Sequence, residues 1–372
     1  MNLFAPYDLG RIHLNNRIVM APMTRARNPD NIANEQTALY YAQRATAGLI
    51  VAEGTTISPE AQGSISVPGI WSEQQVAGWS KVTRAVHEKG GRIFSQLWHV
   101  GRMSHKSVQP GGGQPVSASA VAVTTHPMNT AFVYLEDGTA GRADPTPPRA
   151  LAVDEVVRVV EDFANAAEHA RTAGFDGIEV HAATGYLFEQ FLNPHVNLRT
   201  DRYGGSLEGR ARFVLDVVDA IAARIGADRV GIRLSPHSTI FDMPEYPENG
   251  ETYRYLAEEL GKRGAAYLHL HDLGYLLNDG VPLLSDELMR DLKTAFGGTV
   301  ILAGGLSRTR ATALIERGLT DLAAFGQPYI ANPDLVERFR RGFPLATPDR
   351  ATYYGGDARG YTDYPFAGPD TP

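Results

Sequence analysis

Residues 299–326 read TVILAGGLSRTRATALIERGLTDLAAFG. Two short, nearly continuous apolar runs, 299–304 and 321–326, flank a helix-length stretch that opens at Ser307 and stops at Gly318 just after Arg317. A serine start, a basic residue in the last turn and a glycine stop are helix punctuation. Runs that are apolar on both faces suit strands of a parallel sheet covered on both sides. The segment is a strand–helix–strand unit, and the unit recurs. Further strand-like runs stand at 17–22 (RIVMAP), 49–55 (LIVAEGT), 92–97 (RIFSQL), 177–182 (GIEVHA), 229–235 (RVGIRLS) and 267–272 (YLHLHD). Helical stretches follow at 154–172, with Val156, Val159, Val160 and Phe163 on one face and a stop at Gly174, and at 211–225, between Ser206 and Gly226. Another, 251–263, ends before Gly264. Eight strand-then-helix units predict an α/β chain, a single (β/α)8 TIM barrel over residues 1–372. A doubly wound open sheet is the competitor, but no Gly-x-Gly-x-x-Gly follows any of the strands.

Two segments fall outside the repeat. Residues 1–16 precede the first strand, and Ile12-His-Leu-Asn-Asn-Arg reads as part of a hairpin with an Asn-Asn turn, expected to cap the N-terminal mouth. Residues 98–150 separate the third strand from the third helix and are rich in Gly, Pro and Ser. So long an irregular insertion, leaving a strand at its C-terminal end, is expected to form a lid.

Composition narrows the function. Lys and Arg total 35 against 42 Asp and Glu, a formal charge of −7, so there is no basic stripe to track a nucleic-acid backbone. No apolar run approaches the ~18–20 residues of a membrane span, and residues 1–17 lack a charged-then-apolar leader. Cytoplasm is the expected compartment. Cysteine is absent, which removes disulfides, Cys-ligated zinc, iron–sulfur clusters and thiol nucleophiles.

In a barrel of this type chemistry sits at the C-terminal strand ends. Gly304-Gly305 and Gly326 follow strands seven and eight, where bare backbone N–H groups often hold a phosphate; tight turns alone would also explain them. Gln96 and Arg233 would enter the mouth from strands three and five. An amide suits a heteroaromatic edge and a guanidinium suits negative charge on it, although Arg233 would equally serve an internal ion pair. His181, Thr184 and Tyr186 cluster past strand four. If a helical turn begins there, His181 and Thr184 share a face and converge on one oxygen, while Tyr186 carries a neutral, proton-bearing hydroxyl. A packed core His, a helix-starting Thr and a packed Tyr are the plainer readings. His269 and His271 face one side of strand six. They either fill a polar barrel layer or, with His181, His99 and Asp272, begin a metal site.

Taken together these residues resemble the Old Yellow Enzyme family of FMN-dependent ene-reductases (NADH:flavin oxidoreductases). The resemblance runs from Asn15-Asn-Arg-Ile-Val-Met-Ala-Pro-Met-Thr-Arg through Gln96-Leu-Trp-His-Val-Gly-Arg and Arg199-Thr-Asp-Arg-Tyr-Gly-Gly-Ser to Gly360-Tyr-Thr-Asp-Tyr-Pro. It implies one non-covalent FMN at the barrel mouth. Pro22, Met23 and Thr24 would line its ring system, with Gly54 and Gln96 at the pyrimidine portion and Arg233 on the N1/O2 side. Gly304, Gly305, Gly326 and Gln327 would stand at the phosphate. The implied activity passes a hydride from NAD(P)H, by way of flavin N5, to the β-carbon of an α,β-unsaturated carbonyl or nitro compound. His181 and Thr184 would hold the activating oxygen, Tyr186 would protonate the α-carbon, and Ser64, Trp98, Phe241 and Tyr354 would form the substrate pocket. No metal, nucleic-acid or membrane partner is implied, and the chain would act as a monomer or homo-oligomer.

The sequence departs from the family pattern at three places. Thr184 stands where Asn or His is usual, Gln327 where Arg is usual (Arg308 being a candidate substitute), and Ser64 where many members carry Tyr. Thr184 and Ser64 motivate an alternative within the fold, a specialised biosynthetic isomerase or dehydrogenase. A metal-dependent barrel hydrolase built on the strand-six histidines is the alternative outside the family.

Overall fold

The computed structural model describes residues 2–126 and 128–368. The eight apolar runs become parallel strands: β1 (Ile18–Met20), β2 (Leu49–Thr56), β3 (Ile93–Trp98), β4 (Gly177–Ala182), β5 (Val230–Leu234), β6 (Tyr267–His271), β7 (Thr299–Ala303) and β8 (Leu322–Phe325). They close in sequential order, with β8 returning to β1. Apart from the first residue of β7, every strand residue is buried, as strands enclosed by helices outside and side chains inside must be. The surrounding helices are α1 (Glu35–Gln43), α2 (Glu73–Glu88), α3 (Val153–Thr172), α4 (Leu207–Ile225), α5 (Asn249–Lys262), α6 (Asp286–Phe296), α7 (Arg308–Glu316) and α8 (Leu335–Arg341). The punctuation operates as read: Ser206 caps α4 and Ser307 caps α7 through their side chains. No helix among the described residues is long and apolar enough to cross a membrane.

Register sets the layers of the interior. Gly54 pairs with Gln96, Gln96 with Glu179, His181 with Arg233, and Arg233 with His269. Polar side chains from four neighbouring strands, with Gly54 of a fifth beside them, therefore lie toward the C-terminal end, above an apolar floor of Val19, Leu49, Phe94, Ile301 and Leu322. Leu9, Ile12 and Leu14 of the N-terminal hairpin pack into that floor, and the Tyr7 hydroxyl meets Thr299 Oγ1 at 2.7 Å, so the hairpin caps the N-terminal mouth. Its turn is Gly10-Arg11, between Tyr7–Leu9 and Ile12–Leu14, and not Asn15-Asn16. Gly10 at φ +56° supplies the left-handed corner, whereas the Asn16 side chain accepts from Ile18 N and Gly48 N at the barrel wall.

The insertion after β3 is more ordered than its composition suggests. Val116–Ser117 pairs with Arg149–Ala150, and Ala131–Tyr134 forms an antiparallel hairpin with Ala140–Ala143. It also reaches across the barrel end to the loop after β5. The buried Arg102 guanidinium donates to the carbonyls of Phe241 (3.0 Å) and Asp242 (2.6 Å), while Thr124 Oγ1 and Asn129 Nδ2 donate to the Asp242 carboxylate.

Candidate active site

His181 is the fifth residue of β4, and its strand continues to Ala182, so no helical turn starts there. Helix begins only at Leu187, and the His181–Thr184 relation is strand-then-turn rather than one helical face. Thr184 adopts φ +62°, a left-handed conformation uncommon for a β-branched residue. The turn is held from below. Thr184 N donates to Ser235 Oγ (2.7 Å), Ser235 Oγ donates to Glu189 Oε1 (2.6 Å), and Glu189 Oε2 accepts from Gly185 N (2.5 Å). Tyr253 adds a third bond to Glu189 at 2.7 Å. Strain of this kind persists only where its surroundings over-determine it. Burial pushes the Glu189 carboxyl up to about 7, against the opposing pull of its three donors.

Tyr186 leaves this turn with its ring edge-on to Trp98 (5.1 Å) and to His181 (5.1 Å), and against Phe241 (5.6 Å). Burial raises its phenol well above the ordinary value, so it keeps its proton across the neutral range. Ser64, Trp98, Tyr186 and Phe241 line one small cavity together with Thr130 of the insertion. Phe241, at φ +59°, is presented by the loop that Arg102 grips. Tyr354 is exposed at 49%, with the Arg142 guanidinium over its ring.

The mouth floor contains a residue that strand-end reading did not single out. Glu179 accepts from Gln96 Nε2 (2.8 Å) and the Tyr267 hydroxyl (3.0 Å), and lies 2.7 Å from His269 Nδ1. Burial alone would raise this carboxyl, but His269, Arg233 and Gln96 outweigh it and hold Glu179 below the usual range. Burial, aided by Arg233, holds His269 neutral despite Glu179. The signal was present: Glu179 and His181 are two apart on one strand and share its inner face. Arg233 feels Glu179 but makes no hydrogen bond or ion pair among the described residues, so the internal ion-pair reading does not hold.

The remaining positions gather around the same opening. Pro22, Met23 and Thr24 are half-buried after β1, and Met23 lies beside Gly326 after β8. Gly54 abuts the Trp98 ring so closely that a Cβ would stand 2.7 Å from it. Gly304, at φ +125°, leaves 2.0 Å between a would-be Cβ and the Asp272 carbonyl oxygen, so only glycine fits. Gly305 and Gln327 are exposed at this edge and Gly326 is half-buried. Arg308 lies over the Phe4 ring, whereas Arg310 faces Asp272 at 3.9 Å. The strand-six histidines are committed separately, His269 to Glu179 and His271 to Thr184, and no cluster of three or more His, Asp or Glu suited to a metal occurs among the described residues.

Among the described residues, the buried His181 Nδ1, Trp98 Nε1 and Arg233 Nε at the mouth have no partner. Buried polar atoms are rarely left so, and a flat heteroaromatic ligand bearing oxygen and nitrogen acceptors would meet them. The glycine edge after β7 and β8 offers bare backbone to a phosphate. These residues fit FMN.

The description NADH:flavin oxidoreductase / NADH oxidase family matches residues 2–346. The 12-oxophytodienoate reductase 1 of Oryza sativa subsp. japonica is 42% identical over 98% of this chain and 93% of its own length. The 12-oxophytodienoate reductase 2 of Arabidopsis thaliana is 41% identical over 98% and 95%. The structure of morphinone reductase superposes with a TM-score of 0.95 at 48% identity, covering 98% of this chain and 96% of that one. Its complex with tetrahydroNAD gives 0.94 at 48% identity, covering 99% and 98%. The chain belongs to the NADH:flavin oxidoreductase / NADH oxidase family and is an FMN-dependent, NAD(P)H-dependent flavin oxidoreductase of the Old Yellow Enzyme type.

Proposed function

We propose that this enzyme reduces the carbon–carbon double bond of small α,β-unsaturated carbonyl or nitro compounds. The observation that carries the reading is the juxtaposition of Tyr186 with His181, ring to ring, beside a buried Arg233 that has no hydrogen-bond or ion-pair partner among the described residues. FMN, held without a covalent bond, would supply the hydride-transfer chemistry between NAD(P)H and the substrate's β-carbon.

The chain's own residues bind, orient and move a proton. Pro22, Met23 and Thr24 would support the ring system, Gly54 and Gln96 would meet its pyrimidine edge, and Arg233 would stabilise negative charge there. Gly304, Gly305, Gly326 and Gln327 would take the phosphate with backbone and one neutral amide. His181 and Thr184 hold the activating oxygen of the substrate, each well-aimed donor being worth ~3 kcal/mol as negative charge develops on it. Burial and the charge of Arg233 keep His181 neutral, so its contribution is a hydrogen bond and not a proton lost to solvent. Tyr186 delivers the proton to the α-carbon. Trp98, Phe241, Ser64 and Tyr354 wall the pocket, and the insertion that bridges β3 to the loop after β5 acts as its lid. The reductase names of the relatives support the direction of the reaction.

Steady-state oxidation of NADH and NADPH in the presence of 2-cyclohexenone or maleimide tests the proposal. Turnover dependent on the enone is expected. An FMN-loaded protein inert to both compounds overturns it, and would favour a dedicated biosynthetic enzyme whose pocket Thr184 and Ser64 have reshaped.

A further inference from the structure

A hydroxyl has one proton to give, and whether Thr184 aims it at a ligand depends on what else its oxygen touches. The neighbour within the chain is His271, the last residue of β6, whose Nδ1 lies 3.5 Å from Thr184 Oγ1. The backbone of Thr184 is fixed through Ser235 and Glu189, so the base of its side chain is held in place beside His271. His271 is buried and leans on the Tyr275 ring at 6.2 Å. Burial, with the nearby charge of Arg233, keeps its imidazole neutral, and a neutral imidazole carries a single N–H. With that hydrogen on Nδ1, Thr184 Oγ1 is an acceptor toward His271 and its own hydrogen is free to face the mouth. With the opposite tautomer, Thr184 would spend its hydrogen on His271.

We propose that His271 is a positioning residue that donates from Nδ1 to Thr184 Oγ1 and thereby turns the Thr184 hydroxyl into an oriented donor for the substrate oxygen held by His181. This deepens the reading given under Proposed function and rests on it. It also divides the work of the His269-Leu-His271 pair, with His269 bound to the barrel floor through Glu179 and His271 serving the mouth.

The test uses FMN-loaded protein titrated with cyclohexanone, a saturated ketone that has no double bond to reduce, with the dissociation constant read from the perturbation of flavin absorbance. His271→Ala is expected to weaken ketone binding roughly three- to ten-fold with FMN content unchanged. His271→Asn, whose amide can donate from close to the Nδ1 position, is expected to stay within about two-fold of the parent. In a Thr184→Ala background the His271→Ala change should add less than about two-fold, since the pair acts as one unit. Equal ketone binding by parent and His271→Ala overturns the proposal while leaving the site reading intact. So does an undiminished effect in the Thr184→Ala background, or failure of His271→Asn to retain binding. If the unaltered protein takes up no ketone, the site reading itself falls, and this inference with it.

Discussion

In the proposed reaction, removing the Tyr186 hydroxyl separates proton delivery from everything else the site does. The ring is held by Trp98, His181 and Phe241, none of which needs the oxygen. Tyr186→Phe is therefore expected to retain FMN and its reduction by NAD(P)H while slowing enone-dependent reoxidation by ~10²–10⁴-fold, the range for loss of a general acid. Anaerobic stopped-flow measurement of the two half-reactions checks this, and equal slowing of both would assign Tyr186 a packing role. At this scale the sequence revealed the groups that stand at strand ends (Gln96, His181, Arg233), because the barrel rule says where to look. It did not reveal the groups beneath them. Glu189 lies in Leu187–Leu192, a helix buried on every side, so no polar stripe marks it. Its partner Ser235 is an ordinary strand-end serine until the fold brings it to Thr184. Glu189→Gln replaces one acceptor oxygen by a donor among three donors, and is expected to cost about 1–3 kcal/mol in unfolding free energy, read from urea denaturation.

Among the elements, the glycines after β7 and β8 make contrasting predictions. Gly304→Ala places a Cβ against the Asp272 carbonyl at φ +125°, and is expected to destabilise the protein by about 2–4 kcal/mol and to lower its FMN content. Gly326→Ala meets nothing closer than Met23 Sδ at 3.6 Å, and is expected to stay within about 1 kcal/mol of the parent. Urea unfolding and flavin absorbance per protein chain measure both; equal effects would dissolve the distinction. All eight strands were legible, because strands buried on both faces write themselves as apolar runs. The hairpins were less so. Asn15-Asn16 resembles a turn, but the Asn16 side chain serves the barrel wall, while the real corner is Gly10-Arg11. In the insertion the Asp137-Gly138 pair between Ala131–Tyr134 and Ala140–Ala143 is a hairpin signal, hidden there by the surrounding Gly and Pro content. Thr184 departed from expectation because its left-handed turn is imposed by Ser235 and Glu189, partners distant from local propensity.

Over the whole molecule, buried titratable groups set the response to acid. His99, pushed down to about 3 by burial, and His181, His269 and His271, also lowered chiefly by burial, stay neutral in the folded chain. Unfolded, each takes up a proton below its ordinary 6.5, so these four make stability fall as the pH drops through that value. Glu53 and Glu189, raised by burial to about 7, act oppositely: folded, they keep protons that the unfolded chain releases above 4.5, so their contribution falls as pH rises between 4.5 and 7. Four imidazoles outweigh two carboxyls, and the urea midpoint is expected to be higher at pH 6.5 than at pH 5 by this linkage; a midpoint that is flat or higher at pH 5 would contradict the assignment. The central claim is that one mouth, built from the ends of all eight strands, binds FMN and passes reducing equivalents to an activated alkene. Its most direct test is an anaerobic titration of the FMN-loaded protein, first with NAD(P)H and then with 2-cyclohexenone. The account predicts that the flavin's visible colour bleaches with the nicotinamide and returns with one equivalent of enone, with cyclohexanone as the product. A bleached flavin that stays bleached under excess enone, and regains its colour only when air is admitted, would contradict it.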